Sequence, residues 1–199
     1  MDRTSPLPNR VTPFAEIVAT PARGTMFGNR GGRIHEGFAI KRRQASPRWI
    51  CCVLDFKNRR RRVMETGYTE LFFLDEATAV AAGHRPCFEC RRKDAKAFAA
   101  AWAAALGLPR PAMADEMDAV LKEERRADRP SVEAAALAPG AMIAAGGDAF
   151  LWTGSAFRRW SFAGYESAEP AGPLRLLTPA SALGAFRAGY RPRLHPSAG

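Results

Sequence analysis

Phe72-Phe73-Leu74-Asp75-Glu76-Ala77-Thr78-Ala79-Val80-Ala81-Ala82-Gly83-His84-Arg85-Pro86-Cys87-Phe88-Glu89-Cys90-Arg91-Arg92 reads as a strand end, a short helix, a glycine stop and a tight Cys-x-x-Cys turn that opens a second helix. Asp75 is placed to cap the helix over residues 76–82, and Gly83 to end it, since a glycine accepts the left-handed backbone of a helix stop. Two thiolates three positions apart on a turn can share one tetrahedral Zn²⁺ with little backbone strain, so Cys87 and Cys90 make half of a structural zinc site. Arg85, Arg91, Arg92 and Lys93 bracket the thiols. A cationic metal knuckle suggests an anionic partner, with nucleic acid as the first candidate.

The other half of the site must come from elsewhere in the chain. The remaining cysteines, Cys51 and Cys52, lie in the apolar run Trp49-Ile50-Cys51-Cys52-Val53-Leu54-Asp55-Phe56, which reads as a buried strand. Side chains alternate along a strand, so only one of the two can readily join Cys87 and Cys90. Cys52 shares its face with Ile50, Leu54 and Phe56, the more uniformly apolar side, which is expected to look into the core, and is the preferred third ligand. His35 is the histidine expected to complete the set, because a loop can return it; Cys51 on a kinked strand, His84 or water are the other candidates. Pro86-Cys87-Phe88-Glu89-Cys90 also fits one half of the zinc deaminase signature. The other half needs a ligand and a glutamate two positions apart, and the chain offers only the adjacent His35-Glu36 and the wider Cys52-x-x-Asp55.

The formal charge of +10 is unevenly placed. Residues 1–111 hold 20 Lys/Arg against 10 Asp/Glu, whereas residues 112–199 hold 10 of each. The net charge therefore lies in the half that carries the cysteines, which reads as a binding surface. Arg30 and Arg33 fall in a glycine-rich loop over residues 23–35. Arg59, Arg60, Arg61 and Arg62 fall at the tip expected for a hairpin that leaves the 49–56 strand and returns from Val63. With Arg85, Arg91 and Arg92 they form the expected phosphate-contacting set. The alternative for the four-arginine run is a solvated turn. The N-terminus lacks a charged-then-apolar leader pattern and no apolar run is long enough to span a membrane, so a cytoplasmic location without membrane contact is expected.

From Phe72-Phe73 through the alanine-rich helix to Gly83-x-Arg85-Pro86-Cys87-x-x-Cys90, the chain resembles the metal-binding domain of Ada-type alkyl-DNA repair proteins. In that family four cysteines bind zinc and one of the first pair accepts a methyl group from DNA phosphotriesters. The resemblance implies that Cys87 and Cys90 are the second ligand pair of a zinc-stabilised module that handles DNA in preference to RNA. The family's first pair is separated by three residues, whereas Cys51 and Cys52 are adjacent.

The whole reads as an α+β protein. A basic, zinc-binding region over 1–111 carries an extended arm (1–22), the hairpin and helices around the Cys-x-x-Cys knuckle, and a helix over 91–106. A neutral region over 112–199 carries a helix over 113–126, three short strands in a β-meander, a further strand near 174–177, a helix over 180–188 and a proline-rich tail. The alternative to a binding protein is an enzyme acting on DNA, either an alkyl acceptor through Cys51 or Cys52, or a zinc hydrolase or deaminase.

Overall fold

Residues 5–59 and 62–199 are described in the computed structural model of the chain, and the fold is α+β. In chain order the elements are β1 (Pro8–Val11), β2 (Ile17–Ala19), β3 (Met26–Arg30), β4 (His35–Glu36), β5 (Ala39–Ile40), β6 (Trp49–Val53), β7 (Leu71–Phe73), α1 (Glu76–Ala81), β8 (Arg85–Pro86), α2 (Arg92–Ala105) and α3 (Ala114–Glu124). There follow β9 (Met142–Ala145), β10 (Asp148–Trp152), β11 (Phe157–Ser161), β12 (Gly164–Ser167), β13 (Arg175–Leu176) and α4 (Ala180–Arg187). The first sheet has the order β2-β1-β7-β3-β6-β8, the second the order β12-β11-β10-β9-β13, and β4 and β5 form a small ladder of their own.

Two stretches expected to lack structure are strands. The arm ahead of residue 22 folds into the antiparallel pair β1 and β2, with Asn9 and Val11 buried on alternate positions. The glycine-rich loop contains β3, which lies inside the first sheet between β6 and β7 and is buried at all five residues. Its glycines serve close approach: a Cβ on Gly28 would sit 1.9 Å from the Ile50 carbonyl oxygen, and one on Gly24 1.7 Å from that of Phe73. Glycine in a strand thus marks tight packing as well as loops.

The expected hairpin from β6 back through Val63 does not form. The neighbours of β6 are β3, antiparallel, and β8, parallel. The chain after β6 turns away with left-handed backbone at Lys57, Asn58 and Met64 before entering β7. Arg60 and Arg61 lie outside the described residues. In the second half the meander has four strands rather than three, because Gly164, at φ +137°, lets the chain double back into β12. The proline-rich tail is tied down: Arg193 N donates to Glu76 Oε2 at 2.8 Å and His195 N to Asp75 Oδ2 at 3.0 Å.

Apolar residues from both halves share one core. Val80, Phe98 and Trp102 pack in a single cluster with Met117, Ile143, Phe150, Leu183 and Phe186. Leu106, the third residue of the expected Phe98–Trp102 stripe, is half exposed because α2 ends at Ala105. Among the described residues no helix is long and apolar enough to cross a membrane.

Candidate metal centre

The alternation of β6 divides its two cysteines. Cys51 and Trp49 turn into the core, Cys51 against Val11, Leu71, Phe73, Ala79 and Ala82. Cys52 turns the other way, onto a smaller cluster with Phe27, Ile50, Phe72 and the Cys-x-x-Cys turn. The more closed face therefore belongs to Trp49 and Cys51, the reverse of the assignment made from apolar content. Trp49 is fully buried, and so large a side chain takes the inner side.

Strand β8 delivers the other two thiols. It runs parallel beside β6 with Cys51 opposite Pro86, and Cys87 N donates to the Cys51 carbonyl at 3.0 Å. The turn is then closed by Arg91 N onto the Cys87 carbonyl at 3.0 Å, and Glu89 N points at Cys87 Sγ at 3.4 Å. As a result the Sγ atoms of Cys52, Cys87 and Cys90 lie within 4.8 Å of one another, a group that could hold a metal ion. The fit is good: sulfurs about 2.3 Å from a tetrahedral Zn²⁺ sit roughly 3.8 Å apart, a small adjustment from this spacing. All four cysteines are free. Hydrogen bonds from Cys52 and then Cys90 hold the Cys87 thiol far below its ordinary value, while the same contacts and burial push Cys52 up. The cluster thus stabilises a thiolate at Cys87, the form in which sulfur binds metals.

Above the sulfurs lies a cleft of about 100 Å³ lined by Asn29, Phe56, Arg59, Tyr68 and Glu89. Arg59 and Glu89 form an exposed ion pair at 2.7 Å across it. Histidine is not part of the cluster. His35, expected as a ligand, has its Nδ1 2.5 Å from Thr69 Oγ1, because the β4–β5 ladder carries it to the Thr69 side of the loop. The adjacent Glu36 is exposed, so the deaminase pairing of His35 with a proton-carrying glutamate at the sulfurs does not form. His84 is fully buried between Trp49 and Phe73, with Nδ1 3.2 Å from the Ala79 carbonyl. Burial, then Arg30 and Arg125, lower its pKa well below the ordinary value, so it stays neutral. Cys51 is a poor nucleophile: burial pushes its thiol up, and Arg91 offsets this only in part.

The expected arginines separate into interior and surface sets. Arg30 is 1% exposed, donates to the Ala15 carbonyl at 2.8 Å and stacks 3.9 Å over the Trp49 ring. Arg85 makes a two-bond fork with Asp118 at 2.8 and 2.7 Å, both side chains buried. Arg91 reaches Glu76 at 2.6 Å and Asp94 at 2.9 Å. These three hold the fold together and cannot be surface contacts; Arg85 and Arg91 are drawn inward by buried carboxylates distant in sequence, and Arg30 by the Trp49 ring and the Ala15 carbonyl. Arg33, Arg59, Arg62 and Arg92 are exposed.

A residue the charge runs did not reveal is Arg10. It pairs in register with Phe72, Phe72 with Phe27, and Phe27 with Cys52, so one row crosses four strands from an arginine through two phenylalanines to the cysteine cluster. The Arg10 guanidinium sits 4.8 Å from the Phe72 ring centre, and the two phenylalanine rings are 6.3 Å apart. A cleft of about 620 Å³ beside this row is lined by Arg10, Arg23, Leu54 and Phe72. The double phenylalanine held the signal: adjacent strand residues face opposite ways, so one of Phe72 and Phe73 had to leave the core. No protein-family model, no curated protein and no solved structure matches the chain.

Proposed function

We propose that this chain is a zinc protein that contacts nucleic acid, DNA in preference to RNA, through the outer face of its first sheet. The observation that carries the reading is the row Arg10–Phe72–Phe27–Cys52, in which cation, aromatic rings and metal cluster share one face. Arginines supply the salt-sensitive attraction to phosphates, and the partly exposed Phe72 ring, backed by the buried Phe27, offers a stacking surface to an unpaired base. Arg23 and Arg59 extend the positive charge along that side, while the Glu89 carboxylate takes up part of it. Three thiolates are a soft donor set suited to zinc, and the metal's part is to pin β6 to the turn after β8. The local likeness of residues 72–90 to the Ada-type metal domain points the same way.

A direct test is binding of a labelled single-stranded oligonucleotide and a duplex across a salt series, with the zinc content of the same samples measured. Affinity is expected to fall steeply with salt, and Arg59→Ala to reduce both affinity and slope. Affinity that is absent, or flat with salt, rejects the nucleic-acid reading even if zinc is present.

The cleft above the sulfurs favours a second reading, an alkyl acceptor, because three protein ligands with an accessible fourth side are typical of reactive rather than closed metal sites. A thiolate of the cluster would form an S–CH₃ bond as the O–CH₃ bond of a phosphate triester breaks, releasing the diester anion. Cys52, or the more exposed Cys90, is the acceptor in that case, and Cys51 is too buried. Intact-mass measurement after incubation with methyl-triester DNA decides it: a gain of one methyl on Cys52 or Cys90 supports transfer, and an unchanged mass leaves binding alone.

A further inference from the structure

Away from the sulfur cluster, the end of α3 and the segment after it bring Arg125 and Arg129 beside Arg43, which arrives from the loop ahead of β6. The three line a cleft of about 230 Å³ whose remaining walls include Ala15, Ala82, Gly83 and Pro179. Backbone carbonyls fix each guanidinium. Arg125 donates to Gly83 and Pro47 at 2.9 and 3.0 Å, Arg129 to Leu177 at 2.7 Å, and Arg43 to Arg125 at 3.0 Å. A guanidinium has five N–H donors, so each keeps some in reserve.

A direct ion pair is what the cluster lacks. No ion pair among the described residues involves Arg43, Arg125 or Arg129. Behind them Arg30 and Arg125 both stack on Trp49, at 3.9 and 4.4 Å, and the buried Arg30 Nε and Trp49 Nε1 have no partner. Burial and then Arg43 lower Arg129, and burial holds Arg125 down to about 10 although Asp118 draws it upward. Two carboxylates do line the cleft. Glu124 uses both oxygens on Ser181, at 2.9 and 2.5 Å, to cap α4, and Asp128 is exposed. Converging arginines that repel one another are relieved by a bound anion, and a planar fork of donors suits phosphate oxygens.

We propose that this cleft binds a small phosphate-bearing anion held by Arg43, Arg125 and Arg129. Its volume lies below that of ordinary ligand pockets, so the ligand is inorganic phosphate or a phosphate monoester of few atoms. The site is separate from the sheet face assigned above to nucleic acid.

Titration calorimetry of the full chain with inorganic phosphate at fixed ionic strength tests this, with succinate as the carboxylate control. Saturable one-to-one binding is expected, weakened at least tenfold by Arg43→Gln and by Arg129→Gln and unaffected by Arg159→Gln on β11, which lies outside both sites. Ala180→Glu leaves all three arginines in place but sets a carboxylate at the rim, in the first turn of α4 where an acid suits the helix dipole, and is expected to abolish binding. That variant keeps the test decisive if an arginine variant folds poorly by circular dichroism. Absence of saturable phosphate binding, equal binding in Ala180→Glu, or tighter binding of succinate than of phosphate overturns the proposal.

Discussion

The two faces of the first sheet do opposite work with the same residue types. On the inner face Cys51 lies against aliphatic side chains under the Arg91 guanidinium, which reaches it at 3.7 Å while pairing with Glu76. On the outer face Cys52 meets two more thiols and a row of aromatic rings. One peptide bond separates Cys51 from Cys52, and one separates the interior Arg91 from the exposed Arg92. What differs is the partner each side chain finds. Inside, the Glu76 carboxylate is fully engaged: it takes Arg91, the Tyr190 hydroxyl at 2.5 Å and the Arg193 amide. Outside, sulfur and arginine face clefts. The contrast teaches that neither cysteine count nor arginine count marks function here; the direction of the side chain does.

The largest effect that could break this contrast is on the outer face. Cys52→Ser removes one of three sulfur donors, and metal binding to such sites is itself folding free energy, on the order of 10 kcal/mol in small zinc domains. If the cluster holds the proposed zinc, zinc content falls to zero in this variant and thermal unfolding moves sharply down. A variant that keeps a full equivalent of zinc means the metal is held elsewhere. The inner face answers next. Arg91→Met leaves Glu76 buried without its cation, a change worth about 3–5 kcal/mol in urea unfolding, and adding Glu76→Gln should recover part of it. Zinc content is expected to stay at the wild-type value, because Arg91 touches Cys51 and none of the three clustered sulfurs. Smaller still is Cys51→Ala. Trimming one buried sulfur in an apolar setting should lower stability by about 1 kcal/mol with zinc again unchanged. Loss of zinc in that variant would falsify the division of the two faces.

Much of the local architecture could be read from residue order. Asp75 caps α1 through Thr78 N at 2.9 Å, Gly83 takes its left-handed backbone, and α2, α3 and α4 lie within two residues of their expected bounds. These features depend on neighbours in sequence. Most of the errors depend on distant partners. Asp118 lies 33 residues from Arg85 and Glu76 lies 15 from Arg91, so no local pattern reveals that these arginines point inward. Gly28 looked like a loop residue because the carbonyl it accommodates belongs to Ile50 on another strand. His35 was a plausible ligand on separation alone, and Thr69, which holds it, became its neighbour only through the fold. At the cysteine cluster, strand alternation separates Cys51 from Cys52, but it does not say which face is closed. Trp49 held that information through its size.

Arg92→Ala is the mildest change and isolates the surface term most cleanly. Arg92 is exposed, opens α2 and makes no ion pair among the described residues, so its removal should alter stability by less than about 0.5 kcal/mol. It directly follows Arg91 and lies two residues after Cys90. If phosphates approach the cluster along this side, one counterion fewer is released on binding, and the slope of log affinity against log salt should shrink by about 1. Affinity should fall alike for every oligonucleotide sequence, because a phosphate contact carries no sequence information. The measurement is the same salt series run on wild type, Arg92→Ala and Arg91→Met. An unchanged slope in Arg92→Ala removes this end of α2 from the contact surface. Arg91→Met is expected to lose stability while its slope stays that of the wild type, because a fully buried guanidinium cannot meet a phosphate.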